Sequence, residues 1–197
     1  MQDELDFCKI LLKTGAIKFG VFKLTSGKIS SYYIDLRLIL SFPEALKKTI
    51  EFYRKLVDSI GINNFQRIAG IPTAGLPFAS ILAFKLNKPL IYIRKEVKPH
   101  GRERRIEGIL YPGEKILIVD DLVTTGKSML NAINAVRAEG GIVTDVIVLI
   151  DREEGAQEKL IEENVNLKCF MKVSDIAKKL LELGAIDVKE YEKIIKT

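Results

Sequence analysis

The sequence predicts an α/β fold in which a mostly parallel five-stranded sheet is flanked by helices. From about residue 67 onward, segments rich in Ile, Leu and Val alternate with segments of helical periodicity, which is the pattern of successive βαβ units. The apolar runs are continuous rather than alternating, as expected for strands that are covered on both faces. A chain of 197 residues with 47% hydrophobic residues is also long and apolar enough to bury one such core.

Each element follows from a local pattern. The predicted strands are the short apolar runs at residues 67–71, 89–93, 115–120, 142–151 and 168–173. Helices are predicted over 76–86, where Pro77 fits the first turn, and from near Lys127 to the helix-ending pair Gly140 and Gly141.

Three polar residues are predicted to cap further helices. Ser41, with Glu44 three residues later, has the spacing of a capping box before a helix that reaches about residue 60. Ser174 is predicted to cap the first of two short C-terminal helices. Asp187, followed by Glu190, is predicted to cap the second.

Residues 1–40 do not share the alternating pattern. They contain one amphipathic helix followed by GVFKLTSGKISSYYIDLR, which is typical of a β-hairpin. We therefore expect a small hood subdomain over residues 1–40 and a core with C-terminal helices over residues 41–197, together forming one functional unit.

Composition excludes several classes of protein. No apolar run is long enough for a membrane span, and the first residues lack the basic and apolar pattern of a signal peptide. The two cysteines, Cys8 and Cys169, are isolated, which indicates neither a disulfide framework nor a zinc site. We expect a cytoplasmic protein with no membrane partner.

The positive charge is concentrated in one segment. The chain carries a net charge of +5, and residues 94–105, RKEVKPHGRERR, hold six basic and two acidic residues. Such a cluster indicates an anionic partner, although a solvated loop has the same composition.

The segment IVDDLVTTGKS, residues 118–128, predicts a strand, a turn and the start of a helix. Its Gly-Lys-Ser end resembles that of a Walker A loop, but Asp121 stands where that loop needs its first glycine, so a P-loop is excluded. Backbone N–H groups at the start of the helix, with hydroxyls of Thr124, Thr125 and Ser128, are suited to one terminal phosphate. Because carboxylates repel phosphate, Asp120 and Asp121 are expected to bind the vicinal hydroxyls of a ribose 5-phosphate.

The same segment resembles the 5-phosphoribosyl-1-diphosphate (PRPP) signature of type I phosphoribosyltransferases: apolar residues, two acidic residues, then a Thr-Thr-Gly turn. Three other segments resemble orotate phosphoribosyltransferases: 94–101 their mobile catalytic loop, 22–37 their N-terminal substrate segment, and 70–79 their diphosphate-contacting loop. The resemblance covers most of the chain. It implies the type I phosphoribosyltransferase fold and transfer of the 5-phosphoribosyl group from PRPP to orotate, giving orotidine 5'-monophosphate and diphosphate, in pyrimidine (UMP) biosynthesis.

The resemblance also implies roles for individual residues. Those matched to PRPP binding are Arg94, Lys95, Lys98, His100, Asp120, Asp121, Leu122, Val123, Thr124, Thr125, Gly126, Lys127 and Ser128. Those matched to orotate are Thr124, Arg152, Tyr32 and Tyr33, and the catalytic ones are Lys98, His100, Asp120 and Asp121. Arg152 can instead be a surface arginine paired with Glu153 or Glu154. Adjacent strand residues point to opposite faces, so one tyrosine of the pair is expected to contact the base.

Charge and proton transfer follow from this assignment. The basic loop is expected to stabilise the departing diphosphate and exclude water, and His100, the single histidine, to donate a proton. The reaction implies Mg²⁺ held mainly by substrate and water rather than by a protein metal site, and the family implies a homodimer with shared active sites. Thr25 and Ala74 stand where some members have lysine, so these two anion contacts are not carried over, and backbone N–H groups of residues 72–75 could substitute for the second.

Two other functions agree with parts of the sequence. One is a phosphoribosyltransferase that uses another base, against which Arg152 and residues 22–37 argue. The other is a non-catalytic PRPP-binding regulator of nucleic acid, favoured by the basic segment but opposed by Lys98 and His100 and by the lack of a nucleic-acid module. We therefore expect orotate and PRPP as partners, and no nucleic acid.

Overall fold

The structure is a computed structural model, and it describes residues 2–23, 27, 29–94 and 105–196. Contacts within it define two units, one formed by residues up to 49 together with those from 171 onward, and the other by residues 50–170. The expected boundary, a hood over 1–40 and a core over 41–197, thus differs from the observed division, because the C-terminal helices group with the N-terminal segment.

The described elements are, in chain order, α1 (Gln2–Thr14), β1 (Ile17–Lys23), β2 (Ile29–Ile34), a 3-10 helix (Leu36–Ser41), α2 (Pro43–Ile60), a 3-10 turn (Ile62–Asn64), β3 (Arg67–Gly70), α3 (Gly75–Lys85), β4 (Leu90–Ile93), β5 (Ile106–Glu107), β6 (Lys115–Val119), β7 (Leu122–Val123), α4 (Lys127–Ala138), β8 (Ile142–Asp151), α5 (Ala156–Glu162), β9 (Asn166–Lys172), α6 (Val173–Glu182) and α7 (Val188–Ile195).

The first unit is built around the predicted hairpin. Strands β1 and β2 are antiparallel, with an irregularity in register between Phe19 and Phe22. Helix α1 buries Phe7, Cys8 and Leu11 on one face. Helix α6 contacts α1, and α7 contacts β2, which is why the C-terminal segment belongs to this unit.

The second unit contains the predicted sheet. All five predicted strands are present, and β4, β3, β6 and β8 lie side by side in parallel, with β9 paired to β8. Two strands of two residues were not predicted: β5 runs antiparallel to β4, and β7 runs parallel to β8. The main strands β3 and β6 are almost wholly buried, as continuous apolar runs require when helices such as α3 and α4 flank the sheet.

Two of the predicted helix caps are wrong and one is confirmed. Ser41 ends the 3-10 helix, and the first α2 hydrogen bond runs from the Leu46 amide to the carbonyl of Phe42. Ser174 lies inside α6, which Lys172 precedes as its N-cap. Asp187 and Glu190 form the predicted capping box, with bonds of 2.7 and 3.0 Å. Across the described ranges, no helix combines the length and apolar character of a membrane span.

Candidate active site

The central feature of the second unit is a break between β6 and β7 at Asp120 and Asp121. Both strands pair with β8 at the same offset, so the register is kept across the break. In an unbroken parallel ladder the amide of Leu149 would donate to the carbonyl of Asp120. Here it donates to the carbonyl of Asp121, at 3.0 Å, although the Asp120 amide still donates to Ile147 at 3.1 Å. The chain therefore leaves regular strand geometry where it carries its two adjacent carboxylates.

Asp120 is held by groups from three directions. The hydroxyl of Tyr53 donates to its carbonyl oxygen at 2.8 Å, and the amide of Asp121 donates to its Oδ1 at 2.9 Å. Gly75, the first residue of α3, lies against its side chain, where any Cβ would overlap the carboxylate and the Cα of Asp120. A side chain at position 75 would therefore displace Asp120.

The two carboxylates share one electrostatic environment. Asp121 is buried and Asp120 half-buried. Burial raises the pKa of Tyr53 well above its ordinary value, and the charges of Asp121 and then Asp120 raise it further. Both carboxylates therefore lie within electrostatic reach of the Tyr53 hydroxyl, which stays protonated as a donor.

The predicted phosphate turn follows directly. Gly126 has a φ of 78°, in the left-handed region that favours glycine, and a Cβ there would come within 3.3 Å of the Cα of Ala156. Helix α4 begins at Lys127, as predicted, so its first N–H groups and the positive end of its dipole are available to an anion. Nearby, the ammonium of Lys159 donates to the carbonyl of Thr125 at 2.9 Å.

Arg152 lies at the carboxyl end of β8, beside this turn. Its amide donates to the carbonyl of Val123 at 2.9 Å. Arg152 is thereby held close to Thr124, the residue that follows Val123. Its side chain is only 8% exposed, and its Nε lies 3.0 Å from Oε1 of Glu154. The pairing with Glu154 allowed by the sequence is thus present, but the arginine is buried rather than on the surface.

The two ends of the basic segment lie beside the antiparallel pair of strands β4 and β5. The amide of Arg94 donates to the carbonyl of Arg105 at 2.8 Å, and the Arg105 guanidinium donates back to the Arg94 carbonyl at 3.2 and 3.1 Å. Arg94 also pairs with Glu107 at 2.9 Å. The predicted residues Lys95, Lys98 and His100 lie outside the described residues.

A cavity of about 210 Å³ opens at the carboxyl ends of β3 and β4, beside the start of α4. Its lining brings together two predicted residues, Arg94 and Ser128, and two that were not predicted as site residues, Arg105 and Asn131. Arg105 was visible as part of the basic segment. Asn131 follows Ser128 by three residues, the spacing that places two side chains on one face of a helix. Polar and cationic groups at this edge are those expected of an anion site.

The segment matched to a diphosphate-contacting loop, residues 70–79, runs from the last residue of β3 into the first turns of α3. Ala74, where some family members have lysine, is the N-cap of α3, and its side chain makes no capping hydrogen bond. Its neighbour Gly75 lies against Asp120, and Pro72 lines the cavity. Thr25, the other departure, lies outside the described residues.

Tyr32 and Tyr33 belong to the first unit, on β2. Tyr32 is 2% exposed and Tyr33 38% exposed, so the expectation that the two point to opposite faces is confirmed. Tyr33 packs against Phe22, with ring centroids 5.7 Å apart. That one of these two tyrosines contacts a base stays a prediction.

Known proteins are similar to this chain in sequence and in fold. Residues 38–180 match the phosphoribosyl transferase domain family. The orotate phosphoribosyltransferase of Sulfolobus acidocaldarius is 43% identical over 190 residues, which are 96% of this chain and 94% of that protein. The crystal structure of orotate phosphoribosyltransferase from Aeropyrum pernix has a TM-score of 0.80 at 36% identity, covering 92% of this chain and 99% of that one. The structure of Leishmania donovani UMP synthase has a TM-score of 0.87 at 32% identity. The match covers 98% of this chain but only 41% of that longer protein.

Proposed function

Since the chain belongs to the phosphoribosyl transferase family, we propose that it is an orotate phosphoribosyltransferase of pyrimidine biosynthesis. It displaces diphosphate from C1 of PRPP by a ring nitrogen of orotate, giving orotidine 5'-monophosphate. The observation that carries the proposal is the broken strand at Asp120 and Asp121 followed by the phosphate turn. The choice of orotate as the base is supported by relatives that are named orotate phosphoribosyltransferase and that align with nearly the whole chain.

The broken strand and the turn are assigned to the ribose 5-phosphate part of PRPP. Asp120 and Asp121 accept hydrogen bonds from the 2- and 3-hydroxyls, bonds that are strong because the acceptors are charged. Residues 122–128 surround the 5-phosphate through backbone N–H groups, the hydroxyls of Thr124, Thr125 and Ser128, and the start of α4. The sugar is thus fixed at both ends while C1 stays open to attack.

The basic segment, residues 94–105, is assigned to the diphosphate. Arg94 lines the cavity beside the start of α4, and Lys95, Lys98 and His100 follow it in the sequence. Cations here stabilise the negative charge that develops on the leaving group, and His100 protonates it.

Mg²⁺ is proposed as the cofactor, and the available groups fit it. Carboxylate oxygens such as those of Asp120 and Asp121 are the hard ligands that Mg²⁺ prefers. Among the described residues, no cluster of three or more His, Cys, Asp or Glu side chains could enclose a metal ion. We propose that PRPP and water supply most of its ligands, and that the bound ion would neutralise charge on the diphosphate.

Arg152, Thr124 and the tyrosine pair are assigned to orotate. A guanidinium suits the orotate carboxylate because it can donate two parallel hydrogen bonds. Glu154 already pairs with Arg152, so the substrate carboxylate competes with Glu154 for this buried cation. A neutral base such as adenine or uracil has no carboxylate and cannot replace Glu154 in this way.

The remaining assignments concern assembly and location. We propose a homodimer in which the basic segment contributes to a shared active site, and a cytoplasmic location.

The test is PRPP-dependent loss of orotate absorbance in the presence of Mg²⁺, with uracil, adenine and hypoxanthine in parallel. We expect orotate to be consumed, Lys98→Ala to abolish turnover, and Lys189→Ala, a change on the exposed face of α7, to leave it unchanged. Turnover of another base instead of orotate would refute the assignment of Arg152 and keep that of the ribose site. PRPP binding without turnover of any base would refute the enzyme and favour a regulator.

A further inference from the structure

Tyr53 is a completely buried polar side chain that the reaction as described does not use. It lies on α2 with none of its surface exposed. Its hydroxyl donates at 2.8 Å to the carbonyl of Asp120, a residue 67 positions further along the chain. A buried tyrosine hydroxyl needs a partner, but many oxygens could serve, and this one belongs to the proposed ribose site.

The break in the strand changes the hydrogen bonds around the Asp120 carbonyl. The Leu149 amide, its partner in a regular ladder, donates instead to Asp121. The Tyr53 hydroxyl supplies this partly buried carbonyl with a hydrogen bond in place of the regular ladder bond. The hydrogen bond thus stabilises the irregular backbone from which both carboxylates project.

We propose that Tyr53 is a positioning residue that holds Asp120 and Asp121 for the ribose hydroxyls, and that it thereby sets the selectivity for ribose over 2-deoxyribose. The inference rests on the proposed function, since it takes the two carboxylates as ligands of the sugar. Tyr53 itself does not touch the substrate. It acts through the backbone of Asp120.

Helix α3 connects the two supports of Asp120. The ring of Tyr53 packs on Phe78 of α3, with centroids 5.8 Å apart. Gly75, at the start of the same helix, lies against the Asp120 carboxylate. The main chain and the side chain of Asp120 are therefore both held by contacts that include α3, which restricts the rotation of the carboxylate.

The experiment compares ribose 5-phosphate with 2-deoxyribose 5-phosphate as ligands of the full chain. Dissociation constants are measured by titration calorimetry without orotate, and inhibition constants against PRPP are measured in the orotate assay. We expect the intact protein to prefer ribose 5-phosphate by about tenfold, the contribution of one good hydrogen bond to a charged group. Tyr53→Phe keeps the ring and removes only the hydroxyl, and we expect this preference to fall by about threefold or more.

The matched control is Tyr111→Phe, the same chemical change at a tyrosine whose ring lies near Arg67 and away from the break. It should keep the full ribose preference. An unchanged preference in folded Tyr53→Phe, or an equal loss in Tyr111→Phe, would overturn the inference. If Tyr53→Phe does not fold, the test uses Tyr53→4-aminophenylalanine, which retains a hydrogen-bond donor on the ring. This variant must keep the preference for ribose 5-phosphate, and loss of the preference would also overturn the inference.

The two readouts separate this inference from the proposed function. A protein that binds ribose 5-phosphate but never consumes orotate refutes the proposed reaction, whereas the calorimetric ratio still tests Tyr53. A protein that consumes orotate but shows no ribose preference refutes the role of Tyr53 and leaves the reaction in place.

Discussion

The two ends of strand β6 carry charge in opposite ways. Just before its amino end, Glu114 accepts two hydrogen bonds from the guanidinium of Arg67, at 2.9 and 2.8 Å, in a largely buried ion pair. Just after its carboxyl end, Asp120 and Asp121 place two like charges side by side, on a broken ladder. Opposite charges that satisfy each other stabilise the folded chain, whereas adjacent like charges in a partly buried site destabilise it. The second arrangement suits a ligand that brings hydroxyl groups or a cation, so we propose that the carboxyl end of the strand serves the reaction while the amino end serves the fold.

The largest effect is expected from a change at the carboxyl end of β6. Asp121→Asn removes one negative charge and keeps the size of the side chain, so we expect kcat/KM for PRPP to fall by about 100-fold, as when a preorganised polar contact is lost. The Tm should not fall, because a repulsion between neighbours is relieved. Steady-state kinetics and thermal melts measure the two quantities.

The control for this change is Asp145→Asn. Asp145, on β8, accepts hydrogen bonds from Thr144 and Asn166 and is not one of the proposed site residues, so its neutralisation should leave kcat/KM unchanged. A fully active Asp121→Asn, or one with a clearly lower Tm, would show that the pair serves stability like Arg67 and Glu114.

The next largest effect is expected from a change that removes the ion pair at the amino end of β6. Arg67→Met removes the cation and leaves Glu114 partly buried without it, so we expect the free energy of unfolding to fall by about 2 kcal/mol, between the values typical of exposed and of buried pairs. The kcat/KM for PRPP should stay within about twofold, since the change lies at the end of the strand away from the site. Denaturant unfolding and the same kinetic assay test this prediction.

Arg137→Met is the matched comparison. Arg137 pairs with Glu163 at 2.7 Å, but both side chains are about one-third exposed or more, so water replaces the lost contact and the destabilisation should be smaller. Equal destabilisation by the two changes would contradict the interpretation that burial makes the Arg67 pair strong.

The smallest effect concerns pH. Hydrogen bonds from Arg67 and from the amide of Tyr111 hold the pKa of Glu114 below its ordinary value. The stability this carboxylate contributes is therefore complete above its unfolded pKa and is lost as the pH falls through the lower folded pKa. The difference in Tm between the intact protein and Glu114→Gln should shrink as the pH is lowered from about 7 to about 3. A difference that stays constant over this range would show that charge at Glu114 is not what the pair requires.

Much of the second unit follows from local patterns. The five strands were predicted because runs such as KILIVD are apolar on both faces, and both-face burial needs no knowledge of which helix covers them. The turn at Gly126 and the helix from Lys127 follow from the residues themselves, since a left-handed glycine before a helix is a local preference. Asp187 capped its helix as predicted because its bonds close within four residues.

The features that the sequence did not predict depend on neighbouring elements rather than on local patterns. Ser41 has the spacing of a cap, but the preceding residues form a 3-10 helix that ends on it and moves the start of α2 to Pro43. The grouping of α6 with α1 depends on which surfaces meet after residue 170, and no periodicity encodes that choice. The short strands β5 and β7 exist only because longer neighbours offer them partners.

The identities and order of residues 118–128 were enough by themselves to indicate a phosphate turn beside two carboxylates, because the chemistry of each side chain and the geometry of a strand–turn–helix are local properties. Only the tertiary structure decided how those carboxylates are held. The donor to Asp120 comes from Tyr53 on a different helix, the space for its side chain comes from the missing Cβ of Gly75, and contacts between residues so far apart arise only when the sheet and its helices pack together.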